Sequence, residues 1–171
     1  ARTMSMPPDA FGSAAVPAAV RRTVTAWQAS LALTGLAIIT MVLSRAGIAR
    51  NLREQLMLRD PTIDPAALDT AAPRVVTGAI VSLVLVALIE WALVRAFTGR
   101  RAWARFAFLP VVAVHGVVAT LASILVPTSV WQGWLLLLTL LLGLLPAVAG
   151  AVLSFLPGVS AWRRSASTDP D

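Results

Sequence analysis

Two ionisable side chains lie inside long apolar stretches, and they limit the chemistry open to this 171-residue chain. Glu90 lies in the apolar stretch that ends at Arg95, and His115 lies in the uncharged stretch that begins after Arg105. Ionisable groups within a bilayer are costly and usually face protein or water, so both are candidates for proton or substrate handling. With one His and no Cys, the chain lacks a nucleophile–base–orienter set and a metal-ligand set. We therefore predict no catalytic residue, no metal site and no cofactor, and we interpret the protein as a non-enzyme.

Glu90 and His115 have a structural interpretation beside the functional one. Their stretches are joined by a short loop and run antiparallel, so a contact between the two side chains is geometrically allowed and would make a proton relay. Alternatively, Glu90 extends toward Arg95 or the lipid headgroups and acts as a packing or topology element. The imidazole would then bond a backbone carbonyl, Ser82 or Thr120. The sequence leaves both interpretations open.

The composition predicts that membrane-spanning helices position these two residues. Hydrophobic residues make up 58% of the chain and charged residues 13%, whereas soluble domains are roughly 25% charged. A spanning helix needs roughly 20 mostly apolar residues, and four stretches satisfy this requirement. We predict an all-α, four-helix transmembrane bundle over 23–162, with spans at about 23–44, 74–96, 105–126 and 134–156, a loop at 45–73, and tails at 1–22 and 163–171.

The basic residues predict the orientation of the bundle. All 14 of them are Arg; nine lie in the two tails and the loop between the second and third spans, and the other five lie between the first and second spans. Because cytoplasmic loops carry the excess of basic residues, we predict a multi-pass plasma-membrane protein with both termini in the cytoplasm. The tryptophans are predicted to be interfacial anchors, at Trp27, Trp91, Trp103 and Trp162 on the inner side and at Trp131 and Trp134 on the outer side.

The loop between the first two spans carries helix signals of its own. Apolar residues recur at four-residue spacing from Ile48 to Leu56, which predicts an amphipathic extension of the first helix. Asp60 precedes a proline and should end that helix. Asp64 also precedes a proline and is predicted to be an N-cap that opens a short turn. Pro73 is predicted to start the second span. Caps explain these acids better than a calcium loop, whose spacing and glycine are missing.

The densest charge cluster joins the second and third spans. It contains Arg95, Arg100, Arg101 and Arg105. These side chains are predicted to bind anionic lipid headgroups, at about 1 kcal/mol for each basic residue, and they also act as the topology signal itself. Since the arginines are spread over loops on both sides of the membrane, nucleic-acid binding is not predicted.

Two motifs give the chain a family resemblance. Gly99-Arg100-Arg101-Ala102-Trp103-Ala104-Arg105 links the second and third spans, and Phe155-Leu156-Pro157-Gly158-Val159-Ser160-Ala161-Trp162 follows the fourth. Together they resemble small four-span membrane proteins of high-GC actinobacteria, which carry a G-R-x-W-A-R-type inner loop and a P-x-x-S-x-W-type C-terminal motif. The loop here has one extra residue before Trp103. The resemblance implies the four-span layout and the source, but no activity. We expect the motifs to meet, with an arginine of the loop against Trp162 as a cation–π pair.

Two functions of different classes fit this sequence. The first is a non-catalytic membrane protein, an accessory or assembly subunit that packs against other membrane subunits or against itself. Its expected partners are the lipid bilayer, anionic lipids and other subunits. The alternative is a small proton-coupled transporter or channel that uses Glu90 and His115, and this alternative predicts a water-accessible cavity that reaches Glu90.

Overall fold

The four predicted apolar stretches form the four helices of a bundle. A computed structural model of the chain describes residues 16–125 and 131–165. Four helices in this part are long and apolar enough to cross a membrane, which confirms the all-α bundle and the coarse assignment as a membrane protein. The turn at 126–130 and most of both tails lie outside the described residues. The helices are α1 Ala18–Arg59, α2 Pro65–Thr98, α3 Ala104–Ile124, α4 Trp131–Leu153 and α5 Pro157–Ser165.

Helix α1 is the central packing element, and α2 and α4 lie on either side of it. Helix α3 closes the bundle by packing against α2 and α4. The buried residues of α1 alternate at spacings of three and four over most of its length, which places them on one stripe of the helix. That stripe consists of Val20, Thr23, Trp27, Ser30, Thr34, Ala37, Met41 and Ile48.

Two apolar clusters fill the bundle, one toward each end. The first surrounds Phe97, Phe108 and Trp162, and it lies at the end that carries Arg95–Arg105, which we call the arginine end. The second surrounds Met41 and Leu83. Between the clusters, the stripe of α1 presents hydroxyl groups in place of apolar side chains, and the buried polar residues of α2 and α3 lie at the same level. The bundle therefore has a polar layer between two apolar clusters.

At the opposite end, α1 and α2 continue as a helical hairpin beyond the predicted spans, and we call this the hairpin end. The two predicted caps are confirmed: α1 ends at Arg59, next to Asp60, and Asp64 accepts a hydrogen bond of 3.0 Å from the Ala66 amide at the start of α2. The prediction that Pro73 starts the second span is wrong. It lies inside α2, because residues on both sides of it, including Leu68, are buried against the bundle and hold the helix through the proline.

The chain also differs from expectation near its C-terminus and at two tryptophans. Helix α5 begins at Pro157 and extends to Ser165, three residues into the predicted tail. Its Trp162 is buried in the cluster at the arginine end and is therefore not an interfacial anchor. Trp27 is fully buried and is therefore not an interfacial anchor. It fits because α4 presents Gly150 to it: a Cβ at that position would lie 2.6 Å from the indole Nε1. Four tryptophans are at least half exposed, as anchors require: Trp91, Trp103, Trp131 and Trp134.

Candidate functional site

Glu90 of α2 and His115 of α3 contact each other at the centre of the bundle. The carboxyl Oε1 lies 2.5 Å from the imidazole Nδ1. Glu90 is 0% exposed and His115 is 1% exposed. The sequence allowed this contact without requiring it, since helix rotation decides whether two residues at similar depth face each other. The structure brings them together, and the tautomer of the ring decides which partner donates.

A third helix joins this pair through a residue that the sequence reasoning missed. Ser30 of α1 is fully buried, and its hydroxyl donates a 3.5 Å hydrogen bond to the second carboxyl oxygen, Oε2, of Glu90. Its spacing from Trp27 and Thr34 places Ser30 on one helical stripe, but that spacing does not identify Glu90 as its partner. We call the contacts of Ser30, Glu90 and His115 the polar joint. It connects α1, α2 and α3 in one layer.

The alternative partners expected for these groups are not used. Glu90 does not extend toward Arg95, whose guanidinium carbon lies 4.7 Å from the centre of the Trp91 ring. Ser82 donates to the carbonyl of Gly78 on its own helix. Thr120 likewise donates to a carbonyl of its own helix. The local carbonyl four residues earlier is the nearest acceptor for a hydroxyl on a helix, so these two side chains do not reach the imidazole.

Apolar side chains close the polar joint on both sides. Toward the arginine end, Trp27 stacks on Phe108 with ring centroids 4.4 Å apart, and Phe97 lies 5.6 Å from the same ring. Toward the hairpin end lies the cluster around Met41 and Leu83. The side chains of Glu90 and His115 are 0% and 1% exposed, and Ser30 is fully buried. The pair is therefore shielded from solvent in this conformation.

Two further polar atoms lie near the joint on the stripe of α1. Trp27 Nε1 and Thr34 Oγ1 are buried and have no hydrogen-bond partner among the described residues. An unpaired buried polar group costs free energy, so these two atoms lower the stability of the closed bundle. In chemical terms the joint can hold or exchange one proton between a carboxyl and an imidazole. The described residues contain no group of three His, Cys, Asp or Glu side chains that could hold a metal ion.

The four arginines predicted to bind lipid occupy different environments at the arginine end. Arg100 lies over the Trp162 ring, with its guanidinium carbon 4.6 Å from the ring centre, which confirms the predicted cation–π contact between the two motifs. Arg105 lies 4.5 Å from the centre of the Phe106 ring. Arg95 and Arg101 are exposed. Lipid binding by these residues stays a prediction at this point.

No family model, curated protein or solved structure matches the chain. The resemblance to small four-span actinobacterial membrane proteins therefore also stays a prediction, and the function has to be argued from the site.

Proposed function

We propose that the protein is a non-catalytic integral membrane protein, an accessory or assembly subunit of a membrane complex. The observation that supports this most is the closed polar joint. Each carboxyl oxygen of Glu90 contacts a polar side chain of another helix, and the carboxyl group is fully buried. A transport site must meet water on at least one side of the membrane, whereas a joint that fixes three helices in register needs none. A buried polar group that specifies packing has this geometry.

The outward surface supports association with another membrane helix. Gly35 on α1 and Gly78 on α2 have open space where a Cβ would lie, and large apolar side chains surround them on the exterior. In membranes, small residues on a helix surface let a second helix backbone approach closely. These glycines serve no packing within the bundle, so we assign them to contacts with a partner subunit or a second copy.

The subunit proposal is tested in native membranes at the natural expression level. After mild solubilisation, we expect the tagged chain to migrate in an assembly of fixed stoichiometry, and deletion of the chain to lower the amount of the partner. Gly78→Leu and Gly35→Leu each add a side chain at a position where a Cβ meets nothing within 4 Å. The variant on the contact face should release the partner while the fold is retained. Migration as a free single chain, with neither variant changing any assembly, would contradict the proposal.

A small proton-coupled transporter or channel is the second candidate. The observation that favours it is the proton-sharing pair beside two unpartnered polar atoms, Trp27 Nε1 and Thr34 Oγ1, which water would satisfy if the bundle opened. The purified protein in liposomes with an imposed pH gradient tests this candidate. It predicts proton flux that Glu90→Gln abolishes. The subunit proposal predicts no flux above that of protein-free liposomes for the natural chain or for the variant.

We also propose the plasma membrane as the location, with both termini in the cytoplasm, on the strength of the arginine distribution. The chain has no cysteine, so single cysteines can be labelled without background. Ala67→Cys at the hairpin end and Thr98→Cys at the arginine end are both exposed positions. A membrane-impermeant maleimide should label only Ala67→Cys in intact cells and both variants in opened cells. The reverse pattern would overturn the orientation.

A further inference from the structure

We propose that the arginine end contains a binding site for the phosphate group of an anionic phospholipid, formed by Arg100, Arg105 and Ser160. This assignment is independent of the subunit proposal, because it concerns a lipid ligand and a different part of the molecule. It also divides the four arginines of the cluster into two that contact α5, Arg100 and Arg105, and two that are exposed, Arg95 and Arg101.

The described residues at the arginine end carry positive charges without nearby carboxylates. The acidic residues of the described chain lie elsewhere: Glu90 is in the polar joint, and the others belong to the hairpin end, namely Glu54, Asp60, Asp64 and Asp69. Within the described ranges, no arginine of the arginine end forms an ion pair with a carboxylate. Among the described residues these guanidinium groups are therefore available to an added anion, and a phosphate suits their planar geometry.

Arg100 is held in place by its backbone conformation and by Trp162. It has a left-handed backbone conformation with φ of 59°, which costs a non-glycine residue roughly 1–2 kcal/mol. The turn directs its guanidinium onto the ring of Trp162, a residue of α5 that is itself buried. A guanidinium stacked on a ring keeps its N–H edges free to bind an anion. The side chain thus has little conformational freedom left to lose when a ligand binds.

Arg105 has unused donor capacity where it contacts α5. Its Nη1 donates a long hydrogen bond of 3.4 Å to the hydroxyl of Ser160, and its Nε is buried without a hydrogen-bond partner among the described residues. Arg100 and Arg105 thus each contact α5, one at Trp162 and the other at Ser160, which are two residues apart in that helix. A phosphate at this point would accept from both arginines and from the serine hydroxyl.

The position of the site indicates a lipid as the source of the phosphate. The site lies where α2 ends and α3 begins, beside the exposed rings of Trp91 and Trp103, and such rings favour the headgroup level of a membrane. Directly next to it, Phe106 and Leu109 on α3 present exposed apolar side chains, along which acyl chains can lie. A phospholipid with net negative charge satisfies both the cationic site and the apolar flank.

The test measures the affinity of the purified full-length protein in neutral detergent for phosphatidylglycerol, by the shift of its thermal unfolding temperature. Phosphatidylcholine and water-soluble glycerol phosphate are the comparison ligands. We expect phosphatidylglycerol to bind at least about tenfold more tightly than phosphatidylcholine. Glycerol phosphate should bind weakly, since it lacks acyl chains. Equal affinity for the two lipids, or binding of glycerol phosphate as tight as that of phosphatidylglycerol, would overturn the proposal.

Variants separate a built site from general charge attraction. Arg105→Gln and Arg100→Gln should each weaken phosphatidylglycerol binding by about tenfold or more, while Arg59→Gln at the exposed hairpin end should leave it unchanged. Arg95→Gln at the exposed rim should cost about fivefold, the value for 1 kcal/mol of surface attraction. If Arg105→Gln fails to fold, Arg105→Lys, which keeps the charge but loses the planar fork, should still weaken binding more than Arg95→Gln. Equal losses across the cluster would contradict a built site.

Discussion

Two pairs of a carboxylate and a basic side chain occur in the described chain, and they differ mainly in their surroundings. Glu90 and His115 are 2.5 Å apart with side chains 0% and 1% exposed. Arg53 and Asp69, which join α1 to α2 at the hairpin end, are 2.9 Å apart with side chains 37% and 60% exposed. Similar distances therefore occur in two very different dielectric environments.

Burial, rather than contact distance, determines how much a polar pair contributes to the free energy of unfolding. Exposed ion pairs typically contribute about 0–1 kcal/mol and are screened by salt. Removing one partner of a buried pair costs about 3–5 kcal/mol, because the other partner stays buried without compensation. For this chain, the polar joint should therefore dominate the stability of the bundle, and the hairpin pair should adjust only local structure.

The largest expected effect comes from deleting one partner of the buried pair. His115→Ala leaves the Glu90 carboxyl buried with only the long bond from Ser30, so we expect a loss of about 3–5 kcal/mol in the free energy of unfolding. The measurement is denaturant unfolding in detergent micelles, followed by helical circular dichroism. Val117→Ala, at a position of the same helix that is 60% exposed, is the control and should change little. A loss below 1 kcal/mol for His115→Ala would remove the difference between the two pairs.

The next largest effect is expected from a substitution that disturbs the packing around the buried pair but changes neither partner. In Gly150→Ala the new Cβ would lie 2.6 Å from Trp27 Nε1, and the stacked indole has to shift next to Ser30. We expect a loss of about 1–3 kcal/mol, the usual cost of overpacking a core. Gly35→Ala is the matched control, because its Cβ meets nothing within 4 Å. Equal stability of the two variants in thermal unfolding would show that the packing around Trp27 is not tight.

A smaller effect is expected from the exposed pair. Asp69→Asn should lower the free energy of unfolding by no more than about 1 kcal/mol at low ionic strength. The difference should vanish in 1 M salt, where the screening length is about 3 Å. Arg53→Gln should have the same effect as Asp69→Asn, and the double variant should add nothing. A loss from Asp69→Asn that persists in 1 M salt would show that this pair resembles the buried one.

The smallest effect concerns the exposed cap at the tip of the hairpin. The hydroxyl and the amide of Thr62 both donate to Asp60, and these hydrogen bonds lower the pKa of its carboxyl, with the hydroxyl contributing most. A lowered pKa stabilises the hairpin tip above the unfolded-state pKa of about 3.9. That contribution is lost as the pH falls through the lower folded-state pKa. Titration of Asp60 by NMR should show a higher pKa in Thr62→Val, and an unchanged pKa would refute this origin.

The sequence predicted which segments form helices better than it predicted the rotation of each helix about its own axis. Hydropathy located the four spans, since burial of apolar residues in lipid requires length and little else. The caps at Asp60 and Asp64 were predicted because capping depends on neighbours in the sequence. The contact of Arg100 with Trp162 followed from the proximity expected for two motifs at one end of the bundle.

What could not be predicted depends on tertiary packing. Ser30 is an ordinary small polar residue until the rotation of α1 places it opposite Glu90. Trp27 was expected at the interface because tryptophan favours that level of the membrane. It is buried because Gly150, which is far away in the sequence but packs against it, has no side chain to fill the space. Pro73 suggested a helix start, although contacts on both sides of it maintain the helix.

The most direct test of a structural polar joint is the stability of the double apolar variant Glu90→Leu/His115→Leu. If the pair acts only as a joint, an apolar pair of suitable volume can replace it, as happens for buried ion pairs in other proteins. We predict that each single leucine variant loses about 3–5 kcal/mol, while the double variant unfolds within about 1 kcal/mol of the natural chain in the same micelles. A double variant that is at least as unstable as the less stable single variant would contradict the account.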